Sequence, residues 1–224
     1  MVGSSNQRSL FDKFSNGMEI LGKLFGSNAI IRILRLFLFN PGEIFQTHDI
    51  VKRTRVASGV VRIEIGMMER IGLVKKKSFY VEVEKKKGKR KIITKKKVRG
   101  FVLDKTFVYL KPLQNFFIET VPIDQGDLLR KLRRGGKLKL VIISGFFLHE
   151  LENRVDILIA GDALKRSTLD TVIKNIEAEM GKELKCAVFS TADFRYRFDI
   201  RDRLIRDIFD YPHIVLLDSL NLTP

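Results

Sequence analysis

Cysteine is nearly absent from this chain of 224 residues, and the single one, Cys186, excludes an internal disulfide framework. Histidine is scarce too: His48, His149 and His213 are scattered without the spacing of a zinc site. Long uncharged apolar runs are missing. The apolar stretch from Ile30 to Phe39 contains Arg32 and Arg35 and falls well short of the ~18 residues a membrane span requires. The opening segment, MVGSSNQRSLFDKF, lacks the continuous apolar core of a signal peptide, and no internal repeat is present. These absences point to a soluble, cytoplasmic protein with no metal, no cofactor and no membrane partner. Cys186, set among Leu184, Ala187 and Val188 with no histidine close in sequence, reads as a small buried apolar residue and not as a nucleophile.

Acidic residues are scarce in only one half of the chain. Residues 1–100 carry 23 Lys or Arg against 8 Asp or Glu, whereas residues 101–224 carry 19 against 18. The basicity concentrates between Lys75 and Arg99, where 13 positions are Lys or Arg and the acids are Glu82 and Glu84, a local net charge of +11. Such asymmetry creates a positive field that attracts a polyanion, and without a membrane segment nucleic acid is the expected one. A chain of this length can form one domain or two, and the charge step near residue 100 argues for two.

The first half reads as helices followed by a hairpin. Residues 1–16, with Gly3-Ser4-Ser5-Asn6, read as a loose tail. Ser27 is placed to cap a helix that is apolar over most of its circumference, and Asn40-Pro41-Gly42 stops it. Ile44 and Phe45 suit a short extended piece, and Thr47 or His48 opens a short helix. Ser58 is expected to cap a third helix, whose Val61, Ile65, Met68 and Ile71 form one buried stripe before Gly72 ends it. Phe79, Val81 and Val83 then alternate, Lys85 to Lys91 form a tip around Gly88, and Ile92 to Leu103 return, which is a β-hairpin.

The run IVKRTRVASGVVRIEIGMMERIGLVKKK, within residues 27–103, resembles the winged-helix transcriptional regulators of the arsenic-repressor and multiple-antibiotic-resistance type. The resemblance implies that the third helix enters the major groove of double-stranded DNA and that the hairpin is the wing. Residues outside its buried stripe, Ser58, Gly59, Val60, Arg62 and Ile63, would then face DNA. Arg62 is the candidate base reader, since a bidentate contact with guanine is worth roughly 1–3 kcal/mol of discrimination; the alternative is a solvated surface charge. Val60 and Ile63 suit thymine methyls or a partner surface. On the tip, Lys85, Lys86, Lys87, Lys89, Arg90 and Lys91 are the candidate phosphate contacts, the alternative being a solvated loop.

Phe107 to Glu119 reads as a helix that Pro112 starts or kinks, and Asp124 as the cap of another, ended by Gly135-Gly136. Regulators of dyad operators are commonly dimers, so a homodimer is expected, with this connector as the candidate dimerisation segment. Strands follow at Leu138 to Ile143, Val155 to Ala160 and Leu184 to Phe189. A helix from a Ser167 cap to Gly181 lies between the last two, another spans Arg201 to Asp210, and an apolar tail runs from Ile214 to Leu217.

The stretch VIISGFFLHELENRVDILIAGD, within residues 137–217, resembles the minimal nucleotidyltransferase domains related to DNA polymerase β. Members carry Gly-Ser after the first strand and Asp-x-Asp on the next, where alternate strand residues share a face and can hold two Mg²⁺ ions. Here Gly145 is followed by Phe146, and the carboxylate pair has become Arg154-Val155-Asp156. Glu152 lies ~13 Å along the strand from Asp156, too far to replace the missing acid. The resemblance thus implies the fold without its catalytic chemistry, so no enzyme is expected. Asp156 reads first as the partner of a salt bridge with Arg154 or a neighbour. The other reading is that Gly145, Arg154 and Asp156 form a pocket for a nucleotide or small-molecule effector.

The expected fold class is α+β: a 1–16 tail, a winged helix-turn-helix over 17–103, a helical connector over 104–136, a nucleotidyltransferase-like α/β domain over 137–219 and a 220–224 tail. The expected function is sequence-specific regulation of transcription. Two alternatives are an active nucleotidyltransferase that holds its substrate with the winged helix, and a non-specific architectural nucleic-acid binder.

Overall fold

The computed structural model describes residues 17–87, 90–120, 125–149 and 154–222, without the side chains of 17–19 and 83–92. Helices and strands are mixed and the strands form open sheets, an α+β architecture. Among the described residues no helix is long and apolar enough to cross a membrane.

Four helices open the chain: α1 (Gly17–Phe25), α2 (Asn28–Phe39), α3 (Thr47–Thr54) and α4 (Ser58–Arg70). The Ser27 hydroxyl accepts from the Ile30 amide at 3.1 Å, the expected cap of α2. Nine of the helix's 12 residues are buried, among them Arg35. Gln46 and Asp49 close a capping box on α3. Arg55 then turns the chain with φ 55°, and the Thr54 hydroxyl ties that turn by donating to the Ile50 carbonyl and accepting from the Val56 amide. The start of α4 differs from expectation: Ala57 occupies the cap without a side-chain bond and Ser58 is the first helical residue. Val61, Ile65 and Met68 are buried, but Ile71 is 54% exposed, because the helix ends at Arg70 and the stripe loses its periodicity there.

The hairpin pairs β1 (Val74–Lys87) with β2 (Arg90–Leu103), from Val74 opposite Leu103 to Lys87 opposite Arg90. At about 3.4 Å per residue its strands of 14 residues reach roughly 45 Å. Among its described side chains those at the base are buried, Val74, Val102 and Leu103 beside Leu73. There Phe45 and Phe101 exchange backbone hydrogen bonds of 2.8 and 2.9 Å. Gly100 permits this approach, since a Cβ would lie 2.8 Å from the Phe45 carbonyl oxygen.

Beyond α5 (Leu110–Glu119) and α6 (Gln125–Leu132), a four-stranded sheet has the order β5-β4-β3-β6. Its strands are β3 (Lys137–Ser144), β4 (Ile157–Asp162), β5 (Cys186–Ser190) and β6 (His213–Asp218). β4 and β5 run parallel, joined through α7 (Arg166–Met180), while β3 is antiparallel to both β4 and β6. Alternation divides the strands between two cores. Val141, Ile143, Ile157 and Ile159 pack with α2 and α7, whereas Leu140, Ile142, Leu158 and Ala160 pack with Phe194, Ile205 and Ile208 of α8 (Thr191–Asp199) and α9 (Arg203–Asp210).

Several local expectations are corrected. Lys165, without a side-chain bond, and not Ser167 occupies the cap of α7, and the helix expected over Arg201 to Asp210 begins at Arg203, capped by Asp202, whose carboxylate accepts from the Leu204 amide. The second strand begins at Ile157, so Val155 and Asp156 precede it. Ile214 to Leu217 is the edge strand β6 rather than a tail. Leu220 and Leu222 donate backbone hydrogen bonds to Asp218 and pack on the second core. The 1–16 tail, the Asp124 cap and Glu152 lie outside the described residues.

The two charge regions share one apolar core. α2 lies in it beside α7, and Phe39 at the end of α2 meets the Phe146 ring edge-on at 5.3 Å. Arg35, wholly buried, donates to the carbonyls of Thr120 and Glu179 at 3.0 Å each, and its guanidinium lies 5.8 Å from the Phe117 ring centre. Asn40 donates to the Gly181 carbonyl at 2.8 Å. A Cβ at Gly181 would lie 2.5 Å from Arg35 backbone carbon, so α2 and the end of α7 touch backbone to backbone.

Candidate nucleic-acid interface

The buried face of α4 fixes what its other face presents. With Val61, Ile65 and Met68 turned inward, Ser58, Gly59, Val60, Arg62 and Ile63 are exposed, Ile63 by 71%. The start of α3 and the base of β2 stand beside them. Together they form a groove of about 550 Å³ lined by Gln46, Thr47, His48, Val51, Lys52, Ser58, Arg62 and Arg99. The structure thus brings Ser58 and Arg62 to the same surface as the hairpin. Gly59, Val60 and Ile63 do not line this groove.

Strand register decides which hairpin residues continue the groove. Arg99 is opposite Ser78, Lys97 opposite Tyr80 and Lys95 opposite Glu82, and in a pleated strand 95, 97 and 99 share a face. Lys76, paired to Glu69 of α4 at 2.8 Å, is on that face too. The opposite face carries the half-buried Phe79, Val81 and Val98, together with Lys77 and Lys96. Lys77, Lys95, Lys96, Lys97 and Arg99 are exposed and form no ion pair among the described residues. Tyr80, 66% exposed, offers an aromatic ring on the groove side.

At the hairpin's foot, Lys75 pairs with Asp104 at 3.1 Å. The Asp104 carboxyl is pulled down to about 2, first by the Thr106 amide and hydroxyl and then by Lys75. Of the tip candidates, Lys85, Lys86, Lys87, Arg90 and Lys91 sit on paired strand backbone, with their side chains outside the described residues. Lys89 lies wholly outside them.

In the second half, Gly145 and Asp156 come together in a structural turn. Asp156 is buried, and its carboxylate accepts from the Phe146 and Lys185 amides, each at 2.8 Å. The expected ion pair with Arg154 is corrected, because Arg154 pairs with Asp207 of α9 at 3.1 Å. Gly145 supplies φ 56° at the start of the turn, and Phe146 is packed into the core. Arg154 lines a separate cavity of about 380 Å³ with Ser144, Arg203, Asp207 and Tyr211, which neither Gly145 nor Asp156 reaches. Burial raises the Cys186 thiol to about 12, with Glu177, Asp156 and Asp170 adding to the effect.

Sequence reasoning missed Gln46, Thr47, His48 and Lys52 as groove residues, since nothing in their spacing links them to Arg62. Arg99 was counted in the basic run without being placed at the helix. No group of three or more His, Cys, Asp or Glu side chains that could hold a metal ion occurs among the described residues. No family model matches this chain, and neither a curated protein nor a solved structure does.

Proposed function

We propose that this protein is a DNA-binding regulator of transcription that grips double-stranded DNA with the groove-facing side of α4 and with the basic face of its hairpin. The supporting observation is the groove in which Ser58 and Arg62 of α4 meet Arg99, below a ribbon whose Lys95 and Lys97 share that face. A helix of this size fits the major groove, and a guanidinium at Arg62 suits guanine. Exposed lysines that form no ion pair suit phosphates. On this reading the molecule is a winged helix-turn-helix joined to a nucleotidyltransferase-like module that lacks transferase chemistry. Consistent with that, the Asp156 carboxylate is spent on two backbone amides. A homodimer suits a dyad operator.

The test is selection of bound duplexes from a random pool at near-physiological salt. Enrichment of a motif, expected as a dyad, supports the regulator. A second reading rests on the composition of the exposed α4 face: Gly59, Val60 and Ile63 offer no side-chain hydrogen bond to a base edge. Absence of any enriched motif in the pool, with binding retained, favours a non-specific architectural binder. Transfer of label from ATP to an acceptor, lost in Asp156→Asn, would instead establish a working nucleotidyltransferase.

A further inference from the structure

A second basic concavity lies where the two charge regions join. It measures about 420 Å³, with α3 on one side and the C-terminal half of α7 on the other, over Leu36 and Gly181. Lys52, Arg53 and Arg55 face Lys174 and Lys182 across it, against Glu177 and Glu183. Its walls are fixed. The backbones of Gly181 and Arg35 are in contact, Asn40 holds the Gly181 carbonyl, and Lys182 donates to the Phe39 carbonyl at 3.3 Å. The side chain of Arg55, at the turn before α4, is hydrogen-bonded to Asn175 of α7.

The two acids are already engaged. A Glu177 oxygen accepts from the Leu184 amide at 2.9 Å, and Glu183 pairs with Arg53 at 3.6 Å. Burial pushes the Glu177 carboxyl above its ordinary range, with Glu183 adding to it. The exposed Lys52 and Lys174 form no ion pair or hydrogen bond among the described residues. The lining therefore carries a net positive charge, with Lys174 and Arg53 acting on Glu177 through space, in a preformed space sized for a small molecule.

We propose that the cleft between α3 and α7 binds a small phosphorylated anion bearing two or more phosphate charges, and that its occupancy weakens nucleic-acid binding by the adjoining groove. The coupling has a physical carrier, since Lys52 lines both spaces and Arg55 stands in the turn that leads into α4. An anion in the cleft neutralises charge that the groove would otherwise offer to DNA, and linkage makes the effect reciprocal. Only this second clause rests on the proposed function.

The test uses the full chain and sodium pyrophosphate, followed by calorimetry without nucleic acid at about 0.15 M chloride to screen loose surface association. The expected result is saturable one-site binding that Lys174→Glu weakens by at least about tenfold. Arg203→Ala, in the other basic cavity, should leave it unchanged, with circular dichroism confirming that both variants fold. No saturable heat, binding indifferent to Lys174→Glu, or binding lost in Arg203→Ala overturns the site. A second arm measures duplex affinity with and without saturating pyrophosphate. Weakening in the parent and not in Lys174→Glu supports the coupling, and unchanged affinity in both overturns it. If the chain binds no duplex at all, the proposed function fails while the first arm still decides the cleft.

Discussion

Replacing Arg35 should destabilise the whole molecule, because this one side chain ties α2 to the ends of both α5 and α7. Its guanidinium satisfies the carbonyls of Thr120 and Glu179. Leaving a buried acceptor unpaired costs about 1–3 kcal/mol each. Both partner residues are half-buried, so water recovers part of that and the low end applies. Truncation to Ala also opens a cavity beside Phe117, and large-to-small core changes cost roughly 2–5 kcal/mol. Arg35→Ala is therefore expected to lose about 3–7 kcal/mol. Arg35→Met refills the volume and should lose about 1–2 kcal/mol. It also removes a buried charge, whose desolvation pulls the arginine pKa down to about 10 against the opposing pull of Glu179. Urea unfolding followed by circular dichroism reads both values. An Arg35→Ala loss under about 1 kcal/mol, or equal losses for Ala and Met, would refute the reasoning.

Asp156→Ala strips the acceptor from two amides and should cost about 2–4 kcal/mol, whereas Asp156→Asn keeps one acceptor oxygen and should cost about 1–2 kcal/mol, both read from thermal or urea unfolding. Cys186, half-buried with its thiol raised to about 12, should react with a disulfide reagent at pH 8 far more slowly than an unstructured thiol, and its rate should rise in urea. Arg62→Ala should cost about 1–3 kcal/mol on the selected duplex and far less on an unrelated one, measured by fluorescence anisotropy.

Elements whose signals are local were legible in the sequence. Ser27 capped the apolar helix as expected, and the period-2 spacing of Phe79 and Val81 gave the hairpin. The strand, helix and strand of β4, α7 and β5 followed from apolar spacing between a helix start and Gly181. What was missed depends on distant partners. Arg35 looked like an interruption in an apolar run because its carbonyl partners are 85 and 144 residues away. β6 is half-buried at every position, so it lacked the alternation that marks a strand, and in α8 only Phe194 is buried. Asp156 was matched to Arg154 by proximity in sequence, but the Lys185 amide, 29 residues on, lies at hydrogen-bond distance. The groove was half legible: Ser58 and Arg62 came from helical facing, whereas joining them to Arg99 required the register of the hairpin on α4.

The salt dependence of duplex binding, compared between two double variants, tests the central claim most directly. Lys95 and Lys97 share the groove face with Arg99, while Lys77 and Lys96 lie on the other. Each phosphate contact contributes about −0.9 to the slope of log affinity against log salt. The account predicts a steep slope for the parent, flattened by roughly 2 in the Lys95→Gln, Lys97→Gln pair and by less than about 1 in the Lys77→Gln, Lys96→Gln pair. A shallow parent slope, or equal flattening by the two pairs, would contradict it.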